Sequence, residues 1–322
     1  MDITLKQAYD IFIADRETSC ADETIIYYRE NLTNFFKYCS DCFYKPYDQI
    51  LCVDMTREIF SNYIKYLRRR PKFYNHPFLD PSDDVLSATS VRTYCRSIKV
   101  FGSFCEENDY CRDFTKGVKL PKDDSGEIIP LYESEVKMID KCCNLKTELG
   151  LRNWCIVHLM LDAGLRSSEV INLRFCDLMF DKNIIQIWKG KGSKTRLLIL
   201  CPRLKVNIMK YCVLYRNYTQ LPENTRVFIQ MKKHEPINSN VLKQFFSRLK
   251  KKTGIERVHP HLCRHTFATS YILGGGSLEM LRLLLGHSDY DVTRMYLHLA
   301  HQSQMLHSDV YKLDPVYFKK LT

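Results

Sequence analysis

The stretch NIIQIWKGKGSKTRLLIL, residues 183–200, decides the fold. Two short apolar runs, NIIQIW (183–188) and RLLIL (196–200), flank a lysine- and glycine-rich turn at 189–194, which reads as a β-hairpin. Working outward, apolar residues recur at helical rather than alternating spacing. Helices are expected upstream at 133–141, 153–162 and 167–173, the last opening after the turn Ala163-Gly164. Downstream they are expected at 204–218, 239–252, 261–273, 277–285 and 291–301. One hairpin among so many helices predicts a mixed α/β domain, mainly α with a small β component.

Residues 1–113 carry no strand pattern. Helices are expected at 3–15, 22–39 and 56–69. A fourth runs to about residue 107 from Ser87, whose hydroxyl suits an N-cap. A proline- and aspartate-rich loop at 71–84 separates the last two. The segment KGVKLPKDDSGEIIP (116–130) has the glycine, proline and charge of a linker. The expected organisation is a small all-helical domain at 1–113, a linker at 114–129 and the mixed domain at 130–322.

Charge separates the two parts. Residues 1–130 hold 18 Lys+Arg against 21 Asp+Glu, whereas the remainder holds 30 against 16, a net of +14. Basic charge gathered on one domain is the footprint of a polyanion-binding protein, usually one that binds nucleic acid. A hydrophobic content of 45% excludes wholesale disorder, and no apolar run is long enough for a membrane span. The N-terminus has no secretory pattern, and the expected location is cytoplasmic. The fourteen cysteines are scattered. Only Cys39 and Cys42 form a C-x-x-C, without a second pair at zinc spacing, so reduced and mostly buried thiols are expected rather than a metal site.

Several polar residues interrupt the core-building pattern of the second domain. Arg166 and Glu169 lie three apart in GLRSSEVINL (164–173), hence on one helix face. His261 and Arg264 are likewise three apart in HLCRH (261–265). His287 closes LGH after the apolar run 281–285, and Tyr296 follows nine residues later. Taken singly, each reads as an ordinary surface or packing residue, and Lys191 as a hairpin tip.

Their order is another matter. GLRSSEVINL, a lysine in a hairpin turn, H-x-x-R-H, LGH and a tyrosine nine residues on resemble the tyrosine recombinase (phage integrase) family. The resemblance runs over nearly the whole chain. It implies that the helical first domain is a core-binding, SAM-like DNA-binding domain and that residues from about 130 form the catalytic domain. With no arm-type DNA-binding module expected ahead of the first helices, the layout is similar to the compact Xer-like one.

The resemblance also implies roles. Arg166 and Arg264 clamp the scissile phosphate, and Tyr296 attacks it to form a 3′-phosphotyrosyl link. His261 takes the phenolic proton, Lys191 protonates the departing 5′-oxygen, His287 binds the phosphate and Glu169 orients the histidine. Lys194 competes with Lys191, Tyr290 is the alternative nucleophile, and His265 is expected to pack. Cys263 and Leu262 depart from the commoner H-x-L-R pattern at positions that do no chemistry. No cofactor or metal is expected. The implied partners are double-stranded DNA, a homo-tetramer on two DNA sites and accessory DNA-bending proteins, but no membrane. The tail after Tyr296, with Met305, Leu306, Val310, Tyr311 and Leu313, is expected either to pack into a neighbouring subunit or to fold back on its own domain. The task is expected to be integration or excision of a mobile element, or resolution of multimers. A type IB-like topoisomerase and a catalytically silent DNA-binding regulator stand as the alternatives.

Overall fold

A computed structural model describes residues 3–72, 74, 80–122, 128–188, 195–286, 296–297 and 309–318. The chain divides into two compact units, Met1–Gly126 and Glu127–Thr322. No helix among the described residues is long and apolar enough to cross a membrane.

The first unit is built on four helices, α1 (Leu5–Glu17), α2 (Asp22–Phe43), α3 (Arg57–Arg69) and α4 (Ala88–Glu107). Hydroxyl side chains start three of them. Thr4, Thr56 and Ser87 each accept a backbone N–H from the first turn, which satisfies a donor the helix cannot pair internally. The core is aromatic: Phe12, Phe35, Phe36, Phe60, Tyr63 and Phe101 are fully buried, and many of their rings meet edge to face. The expected linker begins late. Phe114 is buried against Phe35 and Phe60, and Arg92 donates to the Pro121 carbonyl. Apolar contact thus holds residues that composition alone assigns to a connector.

The second unit centres on α6 (Glu148–Leu161), which is buried on almost every side. Helices α8 (Pro202–Arg216) and α10 (Pro260–Leu273) pack against it. Around them lie α5 (Glu133–Cys142), α7 (Ser167–Asn172), α9 (Ser239–Thr253) and α11 (Leu278–Leu285). The hairpin strands are β2 (Ile184–Ile187) and β3 (Arg196–Ile199). A further strand, β1 (Leu178–Met179), joins them in an antiparallel sheet of order β1-β2-β3. At two residues, β1 is too short to show an alternation in sequence. The helix expected at 291–301 lies outside the described residues except for 296–297.

The segment 309–318 folds back on its own unit. Val310 bridges Tyr132, the Tyr311 N–H donates to the Leu131 carbonyl at 3.0 Å, and the Ser270 hydroxyl donates to the Tyr311 carbonyl at 2.5 Å. Val310, Tyr311 and Leu313 are therefore buried in cis, while Met305 and Leu306 lie outside the described residues. All fourteen cysteines are free thiols, and nine of them are buried.

Candidate active site

The site grows from one turn. Helix α6 ends at Leu161, and Gly164 takes φ +66°, a left-handed conformation that a side chain strains. A Cβ there would also lie 2.6 Å from the Phe267 ring. The turn delivers Arg166 to the start of α7, where Glu169 reaches back. Its carboxylate accepts the Arg166 backbone N–H at 2.7 Å and Nη1 at 3.1 Å.

The last carbonyls of α11 gather three guanidinium groups. Arg264 on α10 donates through Nη2 to Leu285 at 2.7 Å, and through Nη1 to the Gly164 carbonyl. From β3, Arg196 donates through Nε to Leu284 at 2.8 Å. Its two remaining nitrogens pair with Glu169 at 2.7 and 2.6 Å. Arg166 Nη2 reaches the Gly286 carbonyl at 3.4 Å. The Leu284 and Leu285 carbonyls lie past the last acceptors used within the helix and carry the negative end of its dipole, so cations settle there. Gly286 closes the helix at φ +63°.

Electrostatically, three cations face one carboxylate. Although burial opposes it, Arg196 and Arg166 hold Glu169 down to about 2. Burial and the neighbouring Arg166 push Arg264 down to about 9, the mark of a cation crowded by its own sign. A phosphate-sized anion would relieve that crowding and meet guanidinium donors already held by carbonyls.

Tyr296 is only 3% exposed. Burial raises its phenol to about 12, but Arg264 and then Arg166 pull it back toward ionisation. Its ring lies 5.4 Å from that of His265. Burial also lowers His265 to about 4, so the ring is neutral, and its Nδ1 has no hydrogen-bond partner among the described residues. Exposed at the first turn of α10, His261 is depressed by partial burial, His259, Arg264 and Arg166. Its imidazole is therefore neutral at pH 7 and free to accept a proton.

The fold thus gathers Arg166, Glu169, Arg264 and Tyr296, with His261 near enough to feel both arginines. Lys191, Lys194, His287 and Tyr290 lie outside the described residues. Sequence reading missed Arg196. Its only signal was a charged residue opening the apolar run RLLIL, a position where it is buried and must be paired. His265 packs as expected, though beside the phenol. A cleft of about 1010 Å³ opens alongside, lined by Arg166, Glu169, Arg174, Trp188, Arg226 and Gly286 among others.

Comparison with known proteins places this geometry in a family. The model of the phage integrase family matches residues 130–303, more than half of the chain. The chain is 25% identical over 309 residues to tyrosine recombinase XerD of Rickettsia conorii, covering 92% of this chain and 94% of the relative. It is 28% identical over 287 residues to a tyrosine recombinase of Pseudothermotoga lettingae, covering 88% and 90%. Among solved structures, the fold resembles the Tn1549 transposon integrase in complex with transposon right end DNA. That match has a TM-score of 0.70 at 16% identity, over 95% of this chain and all of the other. It also resembles a lambda integrase dimer bound to a core site, with a TM-score of 0.67 at 14% identity over 91% and 95%.

Proposed function

The chain belongs to the phage integrase family of tyrosine recombinases, and from that premise we propose that it cuts and rejoins double-stranded DNA at specific sites through a covalent tyrosyl intermediate. The observation that carries the reading is the pair Arg166 and Arg264, which come from different helices, meet at the end carbonyls of α11 and favour ionisation of the buried Tyr296 phenol. Its relatives include recombinases and integrases, one of them named in complex with transposon DNA.

The chemistry follows from the residue types. A phosphodiester repels an oxygen nucleophile, and the pentacoordinate transition state carries still more negative charge. Guanidinium groups fixed where that charge develops stabilise it without having to reorganise. The Tyr296 oxygen forms a bond to phosphorus as the bond to the 5′-oxygen breaks. His261 takes the phenolic proton, Lys191 supplies one to the departing 5′-oxygen, and His287 adds a phosphate contact. Because the phosphotyrosyl link keeps the bond energy, attack by a 5′-hydroxyl from another strand restores a phosphodiester without ATP. Paired duplexes held by four copies of the chain fit such an exchange, with accessory DNA-bending proteins aiding assembly. Integration or excision of a mobile element and resolution of multimers both fit this reaction.

A library of nicked duplexes tests the reading. The chain should form a covalent protein–DNA adduct in the presence of EDTA, and two trapped duplexes should exchange strands. Relaxation of supercoiled DNA without any exchange between duplexes would make the protein a topoisomerase of the IB kind. Tight DNA binding without an adduct would make it a silent regulator.

A further inference from the structure

Beside the arginine cluster stands an aromatic side chain that the proposed chemistry does not use. Trp188 directly follows β2 and is 66% exposed, which is unusual for the largest apolar side chain. Its indole lies beside Asp177, a buried carboxylate that accepts the Arg174 backbone N–H at 2.8 Å, and it lines the cleft.

The same cleft holds Arg166, Arg174 and Arg226. Arg226 is braced by the Ile171 carbonyl at 3.2 Å and by Asn172. The exposed Arg174 guanidinium pairs with no carboxylate among the described residues. The carboxylates in the lining, Glu169 and Asp177, are both engaged. The wall thus offers three arginines and one aromatic face, with Ser168, Asn172 and Cys176 as neutral polar groups between them and the carboxylates. A chain of phosphates carrying sugars and bases matches that pattern, whereas a bare anion would leave the indole unused.

We infer that Trp188 is a DNA-positioning residue that packs its indole against the sugar and base of a nucleotide next to the scissile phosphate, while Arg174 and Arg226 hold the neighbouring phosphates. The inference rests on the recombinase reading and deepens it. It places strand alignment on a side chain beside Asp177, next in sequence to the segment 189–194 that contains Lys191.

The chain's two tryptophans make the test direct. Trp154 is buried, so Trp188 supplies the solvent-sensitive fluorescence. The full chain is titrated with a short mixed-sequence duplex, with binding followed by anisotropy of a label on the DNA and contact followed by tryptophan emission. Binding should be accompanied by quenching that disappears in W188F. W188A should weaken binding about tenfold, the scale of one lost aromatic–nucleotide contact, and W188F should restore most of that loss. Normal anisotropy with unchanged emission, or W188A binding like the native chain, overturns the inference and leaves the recombinase reading standing. No binding by anisotropy removes both.

Discussion

At the scale of single residues, the account rests on charge placed before the reaction needs it. Arg166 meets a carboxylate on one side and a helix-end carbonyl on the other, so its direction is fixed without DNA. Arg166→Ala should reduce cleavage by about 10²–10³-fold while changing DNA affinity far less, because its worth lies in the transition state. Equal losses in binding and cleavage would reduce it to an ordinary phosphate contact. His261 supplies a pH signature. Partial burial and the surrounding cations lower its pKa below the usual 6.5, so it stays neutral through the physiological range and is protonated only under more acidic conditions. Single-turnover cleavage should therefore be flat near neutrality, with an acid limb below pH 6.5. A limb at or above that value would take the proton-acceptor role away from His261. Most of these side chains were legible because their spacing is fixed by local geometry, as in the three-residue steps from Arg166 to Glu169 and from His261 to Arg264. Arg196 was not, because its partner lies 27 residues away and only tertiary structure brings them together.

At the scale of elements, one turn and one ion pair tie the pieces together. The carbonyl of Gly164 anchors Arg264, and its Cα has no room for a methyl group beside Phe267. Gly164→Ala should destabilise the protein by at least about 1–2 kcal/mol and lower cleavage further by displacing Arg264, as read by denaturant unfolding and adduct yield. Native stability in that variant would mean the turn relaxes freely. Glu169 joins β3 to α7 through Arg196. Its folded pKa of about 2 lies below the usual 4.5, so its stabilisation is complete above pH 4.5 and fades as pH falls through 2. Glu169→Gln should cost about 3 kcal/mol at neutral pH, and much less in acid. A pH-independent loss would point to shape rather than charge. The hairpin was readable because β2 and β3 are apolar runs on either side of a glycine-rich sequence. The α11 carbonyl cluster was not, because backbone acceptors leave no mark on the sequence.

At the scale of the molecule, the second unit is stitched to its own C-terminal segment through a buried polar network. His158 lies between Asp162 at 2.8 Å and Asp140 at 2.7 Å, while the Tyr311 hydroxyl donates to Asp162 at 2.6 Å. Burial works against charging His158, but Asp162 and Asp140 raise its pKa above 6.5. Its stabilisation is therefore full below pH 6.5 and lost as pH rises through the raised value. His158→Gln should remove that alkaline decline from thermal melts. This cis packing of 309–318 was open in the sequence, where an amphipathic tail fits its own domain or a neighbour equally well. The late start of the linker was also hidden, because Phe114 sits among residues whose composition says loop.

The central claim is that the phenol of Tyr296 becomes the covalent link to DNA. Its most direct measurement is peptide mapping of the adduct trapped on a nicked duplex, set beside the Tyr296→Phe variant. The DNA-linked peptide should contain Tyr296, and the variant should form no adduct while binding DNA with nearly native affinity. A linked peptide centred on another residue, Tyr290 first among them, or a persistent adduct in the variant, would contradict the account.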